Sequence, residues 1–515
     1  MELNITQQTV PMNEVVFDSA VEQALECDIM LPDYCPDILR ILKCDVTCAV
    51  ASAQAVGERL VIEAMAAVAI LYLGENNQMR CIDYKIPFTK TCELKSQPQN
   101  PMVDICCKID YANCRAVSSR RLEVRGAATL KIRVTSCGEE KVVSDCTGMG
   151  VQLKKNILDV TECVAQASSP FTVKEELELG YGKPAIGCVI SSRMFAVLTD
   201  YKVISGKIVT KGELHIQLLY YPAQEGEGDC QPELMEYSLP VSQIIDSANA
   251  DDECVCNVQY QVTSCEVQPK PDMDGDNRIL AITAEIAARA NIHRREQMVL
   301  SADCYCTAYD CAFKNKGIAF LTLLNAVQDT HSYKETIQLP GNIQAVIYGW
   351  SRVTDQNVKV DQGQIVLTFQ LESTLLVRDE EGTVQCVTNT AEITHHIPLN
   401  GAPCEQILFR PVLTPVSGGY SIVGSNQVEL RSEILIQGCV YCMVHKNGIC
   451  EIAVDETKEK PRDKSCALTI YYADQGESIW DIAKKYNTSI QSVIEENALE
   501  SDILQQRKML LIPML

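Results

Sequence analysis

A mainly β chain, with three repeated antiparallel sandwich or barrel-like domains and a small βααβ module at its end, is the fold class that the sequence predicts. Three observations predict it. Apolar and polar residues alternate with a period of two along most of the 515 residues. A set of landmarks recurs three times in the same order. After Gly476 the spacing of apolar residues becomes helical.

The first unit opens with "NEVVFDSAVEQALE" at 13–26, which fits either a helix or a strand. The landmarks follow. A glycine introduces an alternating strand at Gly57, Gly212 and Gly363, in "GERLVIEAM", "GELHIQLLYY" and "GQIVLTFQL". A proline then closes "YKIPF", "YSLPV" and "HHIPL" at Pro87, Pro240 and Pro398. A further alternating strand comes next, in "RLEVRGAATLKIRV", "RILAITAEIAARA" and "QVELRSEILIQG". Leu214, Ile216 and Leu218 share one strand face, as do Val428, Leu430, Ile434 and Ile436. One apolar face per strand implies antiparallel sheets packed over a shared core. Units of about 150 residues are large enough to fold alone. The expected domains are 1–150, 151–325 and 326–453, a charged linker over 454–466, and a terminal module over 467–515.

Composition excludes several functions. The formal charge of −23 opposes binding to nucleic acid, and no Lys/Arg tract offsets it. The longest apolar run, "MAAVAILYL" at 65–73, is too short to span a bilayer, and no transmembrane segment is expected. "MELNITQQTVPMNEVVFDSA" has neither a basic start nor an apolar stretch of the kind that directs secretion, so a cytosolic location is expected. In that compartment the 26 cysteines are expected to be mostly reduced, without disulfides.

The densest cysteine cluster, "CVYCMVHKNGIC", holds Cys439, Cys442, His445 and Cys450. A strand there would point Cys439 and Cys442 to opposite faces, and "NG" at 447–448 reads as a type I′ hairpin turn, so no metal site is expected. "CVC" at 254–256 and "CYC" at 304–306 put both thiols on one strand face, which suits packing. His395 and His396 stand beside Pro398 where the other units carry Tyr84 and Tyr237, a packing pattern. No GxSxG, P-loop or dinucleotide fingerprint occurs. No catalytic residue and no cofactor are expected.

The terminal module begins with a strand, "ALTIYYA" at 467–473. Gly476 permits a turn, and Ser478 with Asp481 has the form of a capping box. Ile479, Ile482, Ala483 and Tyr486 follow at helical spacing, and Ser489 can cap a second helix carrying Ile490, Val493 and Ile494. "MLLIPML" at 509–515 closes as a strand.

On Tyr472, Gly476, Glu477, Ser478, Ile479, Trp480, Ile482, Ala483, Tyr486, Asn497, Leu499, Ile512 and Pro513 this module resembles the LysM domain, whose members generally bind N-acetylglucosamine-containing glycans. The resemblance implies ligand contacts in the loop before the first helix, at Gly476, Glu477, Ser478, Ile479 and Trp480. It implies others after the second, at Asn497, Ala498, Leu499 and Glu500. The family has Gly where this chain has Ala498, and Pro-Gly where it has Gln506 and Arg507. With "LPDYCPDILRILKCDV" at 31–46 and its echoes "LGYGKPAIGCVI" and "LPGNIQAVIYGW", the architecture resembles the clostridial spore-morphogenesis family of SipL. That resemblance implies a non-enzymatic adaptor in the mother-cell cytosol at the forespore surface. Its LysM domain would bind a coat ATPase of the SpoIVA type and help localise the spore coat. A peptidoglycan-binding wall or cortex protein is the alternative.

Overall fold

The structure is a computed structural model that describes residues 3–223, 231–399, 404, 406–461 and 467–513. Its first unit contains β1 (Asn4–Met30), β2 (Ile38–Val56), β3 (Arg59–Gly74), β4 (Met79–Glu93), β5 (Met102–Ser118) and β6 (Arg121–Thr147). The segment 13–26 is therefore strand. The second unit contains β7 (Val151–Glu178), β8 (Ile186–Ile204), β9 (Lys207–Pro222), β10 (Glu233–Asp246), β11 (Cys254–Pro271) and β12 (Asn277–Cys306). The third contains β13 (Tyr309–Gln338), β14 (Ile343–Asp361), β15 (Gln364–Asp379), β16 (Val384–Pro398), the short β17 (Gln406–Leu408), β18 (Val412–Gly424) and β19 (Gln427–Glu459). β13 runs unbroken through 325–326, and β19 continues through 454–459 into the stretch read as a linker, of which 462–466 lie outside the described residues.

Each unit packs two antiparallel layers. One is a meander in which the middle strand pairs both neighbours: β2-β3-β4, β8-β9-β10 and β14-β15-β16. The other pairs the first strand with the last, as β1 with β6, β7 with β12 and β13 with β19, and adds β5, β11 or β18 at the edge. These second layers of the second and third units join through the Thr161–Leu321 pair into one seven-stranded sheet. Alternation puts Leu60, Ile62, Ala66, Val68 and Ile70 of β3 between the sheets, with Leu130, Ile132 and Val134 of β6 facing them.

Strand register fixes which residues correspond among the units, and it moves two of the landmarks. The meander turns hold Gly57, Gly206 and Gly363, each with positive φ (62°, 77° and 75°). Gly212 instead sits inside β9 opposite Val241, where a Cβ would meet the Tyr260 ring at 2.6 Å. Pro87 and Pro240 correspond, because they pair with the equivalent residues Met65 and Glu213. The third unit has Glu392 there, opposite Gln370, and Pro398 lies six residues further on. Tyr84 and Tyr237 accordingly correspond to Asn389, not to His395 or His396. The proline strings matched because strand alternation repeats every two residues, which lets a local string slip by an even number without changing face.

Bulges repeat as faithfully as strands. β2, β8 and β14 each carry irregularities after their first and fourth residues, at 38/40 and 41/43, 186/188 and 189/191, and 343/345 and 346/348. A bulge re-aims a side chain. Here the extra residues of the second set, Leu42, Ile190 and Ile347, turn into one cluster with Leu71, Leu219 and Leu376 of the neighbouring strands, so all three units meet there. The equivalent positions Asp45, Arg193 and Trp350 also converge. Arg193 Nη2 lies 2.6 Å from Asp45 Oδ2, Trp350 Nε1 donates to the same oxygen at 3.1 Å, and the guanidinium carbon stands 4.3 Å from the indole centroid. Lys43, Arg352 and Glu372 complete this ionic node.

A second common centre forms where Val142, Leu300 and Gly448 occupy equivalent places, two residues before matching bulges in β6, β12 and β19. A Cβ on Gly448 would stand 2.6 Å from Leu300 Cδ1 and 3.3 Å from Val142 Cγ1. This corrects the hairpin expected at 447–448. Asn447 and Gly448 pair with Gly317 and Lys316 inside a continuous β19, and the glycine answers to crowding between units. A disulfide joins Cys404 to Cys442, with Cα atoms 5.9 Å apart, against the expectation of none. The other described cysteines are free, and Cys254, Cys256, Cys304 and Cys306 are buried as their spacing implied.

Candidate functional site

The terminal module has the order β20 (Leu468–Ala473), α1 (Ile479–Lys485), α2 (Ile490–Asn497) and β21 (Lys508–Pro513), with β20 antiparallel to β21. Ala473, Ile479, Ile482, Ala483, Val493, Leu504, Leu510 and Ile512 form its core. Ser489 caps α2 by accepting from Ser492 N at 3.0 Å, as expected. Ser478 makes no side-chain cap on α1. Its place is taken by the other loop, for Ile479 N donates to Asp502 O at 2.9 Å and Ser478 bridges Ile503.

The two loops expected to carry the site are thus bound to each other. Gly476 N donates to Leu504 O at 2.9 Å, and Leu504 N donates to Glu477 O at 3.0 Å. Gly476 is exposed with φ +88° and open space where a side chain would stand. The Glu477 carboxylate is occupied, accepting from Tyr471 OH at 2.9 Å and from Asp474 N at 3.0 Å. Arg507 pairs with Asp474 across the rim. In the second loop Ala498 takes a left-handed conformation (φ +45°), a cost for a residue with a Cβ at a helix C-terminus where glycine is preferred. Leu499 packs on the module core and Glu500 is exposed.

Three of the named residues face inward. Ile479 is fully buried, and the Asn497 side chain is spent on Val493 O, Leu511 O and Leu511 N at 2.7–2.8 Å. Trp480 points away from the loops, toward the second β-unit. Its Nε1 donates to Asp303 Oδ2 at 2.7 Å, its ring meets Tyr305 edge-on at 5.1 Å, and Lys484 Nζ lies 2.7 Å from the same carboxylate. Tyr305 OH donates to Thr488 O at 2.8 Å, and Lys460 Nζ to Asn487 Oδ1 at 2.8 Å. Burial works against the Asp303 charge, but Lys484, Trp480 and Cys304 N hold its carboxyl below the usual carboxylate range.

One exposed surface of the module lies outside the two loops. Leu468, Ile470 and Tyr472 alternate along β20 on the face away from the helices, and Met509 lies opposite Tyr472. Their exposures are 44, 57, 76 and 49 %. The signal was present in "ALTIYYA", where Leu468, Ile470 and Tyr472 form one alternating set and Tyr471 and Ala473 lie in the other, although only one set can face the helices.

Comparison with known proteins bears on both parts of the chain. Residues 37–117 and 185–270 match the family described as SipL, SPOCS domain, and residues 471–513 match the LysM domain. The two SPOCS segments cover β2–β5 and β8–β11, the same part of the first and second units. The corresponding part of the third unit is not matched, although its strand order and bulges repeat. It differs before β14. The loop there joins Leu339 to Ile343, whereas Leu31–Ile38 and Leu179–Ile186 are longer. Tyr72 OH and Tyr220 OH donate to Pro36 O and Pro184 O in those longer loops, and Val377 stands in the equivalent place. No match is found among curated proteins or solved structures. SPOCS and LysM are binding or adaptor domains, sporulation-related in the first case and of peptidoglycan-binding type in the second. No helix among the described residues is long and apolar enough to cross a membrane.

Proposed function

We propose that this chain, which carries SipL SPOCS domains and a C-terminal LysM domain, is a non-enzymatic adaptor of spore-coat morphogenesis. It acts in the mother-cell cytosol at the forespore surface. The LysM domain captures a protein, a coat ATPase of the SpoIVA type, and the three β-units form the body from which that domain is presented. These units run from β1 to β6, from β7 to β12 and from β13 to β19. The observation that carries the reading is the outer face of β20 and β21. An apolar patch of Leu468, Ile470, Tyr472 and Met509 is costly to leave in water and suits a protein surface, not a sugar.

The glycan reading has its own support in Gly476, whose exposed backbone leaves room for a close ligand. Against it stand the inward Trp480 and Asn497 and the Arg507–Asp474 pair at the rim. Binding of the full chain to a purified SpoIVA-type ATPase, in parallel with sedimentation on peptidoglycan, separates the two. Capture of the ATPase, lost in Tyr472→Asp but kept in Ala498→Glu, is the expected result. Capture by peptidoglycan alone, lost in Ala498→Glu, would make the module a glycan binder.

A further inference from the structure

Two thiols come together across a seam of the fold. Cys304 on β12 and Cys311 on β13 have sulfurs 3.6 Å apart where the second unit passes into the third. We propose that this pair is a modification site that closes to a disulfide by exchange with an oxidised low-molecular-weight disulfide, of which glutathione disulfide is an example.

Geometry and access support the same step. Sulfurs 3.6 Å apart need to approach by about 1.5 Å to reach a disulfide bond length, a change within reach of side-chain rotation. The hydrogen bond with Cys304 holds Cys311 as the better thiolate. Cys311 is partly exposed and Cys304 is buried. Cys311 therefore meets the oxidant first. Lys460 and Lys484 add positive charge near Cys311.

The electrons balance in two exchanges. The Cys311 thiolate attacks one sulfur of the small disulfide, forming a mixed disulfide and expelling one small thiolate. That thiolate takes the Cys304 proton. Cys304 sulfur then attacks Cys311 sulfur, closing the internal disulfide and expelling the second small thiolate, which takes a proton from solvent. Two protein thiols are oxidised and one small disulfide becomes two small thiols. A disulfide already joins Cys404 to Cys442 within the third unit, so closure would also tie that unit covalently to the second.

The test uses the full chain. It is incubated with excess glutathione disulfide, quenched with acid, alkylated and digested without reductant, and cross-linked peptides are identified by mass spectrometry. The expected result is loss of the two alkylatable thiols of this pair and recovery of the Cys304–Cys311 cross-link. In Cys304→Ser, glutathione is trapped on Cys311, and in Cys311→Ser, Cys304 remains an alkylatable thiol. Mixed disulfides without internal closure, first-formed cross-links between other cysteines, or an unmodified Cys311 in Cys304→Ser would each overturn the proposal.

Discussion

Trp480 and Asp303 are 177 residues apart in sequence, and the indole N–H of the first donates to the carboxylate of the second at 2.7 Å. That contact, with Lys484 on the same carboxylate, holds the LysM domain against the end of β12. The residue that most marked the module in the sequence thereby packs the module onto the second unit, and the outer face of its sheet remains exposed.

Asp303→Ala is expected to release the module without unfolding the β-units. Lys484 and the Trp480 N–H would lose a charged acceptor, at a cost of about 3 kcal/mol for the two together. Trp480 fluorescence should shift to the red and proteolysis near residues 461–467 should accelerate. Because the folded Asp303 carboxyl titrates below its unfolded value, docking is complete above about pH 4 and is lost as pH falls through the lower, folded value. The fluorescence shift of the wild type in acid should therefore reproduce that of the variant at neutral pH.

Asp45→Ala is expected to weaken the junction of all three units. The carboxylate side chain is only 8 % exposed and faces Arg193, Arg352, Lys43 and Trp350. Removing one partner of a buried ionic group costs about 3–5 kcal/mol, and the partial exposure of the arginines places this one at the lower end. The denaturation midpoint should fall, and by less in Asp45→Ala/Arg193→Ala than the sum of the single changes.

His293 predicts a pH dependence of stability. It is buried against Tyr441 with ring centroids 4.9 Å apart, and its Nδ1 has no hydrogen-bond partner in the structure. Burial pushes its pKa down to about 4. A depressed histidine folds as the neutral form, so the unfolded chain binds more protons between its pKa near 6.5 and 4. Stability should be constant in this respect above about pH 6.5 and fall below it, by up to about 3 kcal/mol near pH 4. His293→Phe should flatten that part of the profile, as read from denaturation midpoints at pH 7 and pH 5.

What the sequence determined by itself is what nearest neighbours along the chain enforce. Alternation along β3, β9 and β15 follows from the period of a strand, and the change to helical spacing after Gly476 follows from the period of a helix. These made the threefold β-architecture and the LysM domain legible before any contact was known. The same shortness of range explains what was misread. Asn447-Gly448 is a turn dipeptide only where no neighbour forbids the straight strand, and here the side chains of Leu300 and Val142 account for the glycine. Pro398 matched as a string because a slip of an even number of residues preserves alternation. Only the tertiary structure decided that Asp45, Arg193 and Trp350, one from each repeat, answer one another, or that Trp480 turns from its loops to Asp303. Those pairings join residues more than 140 positions apart, and close packing of separate units, not local backbone preference, selects them.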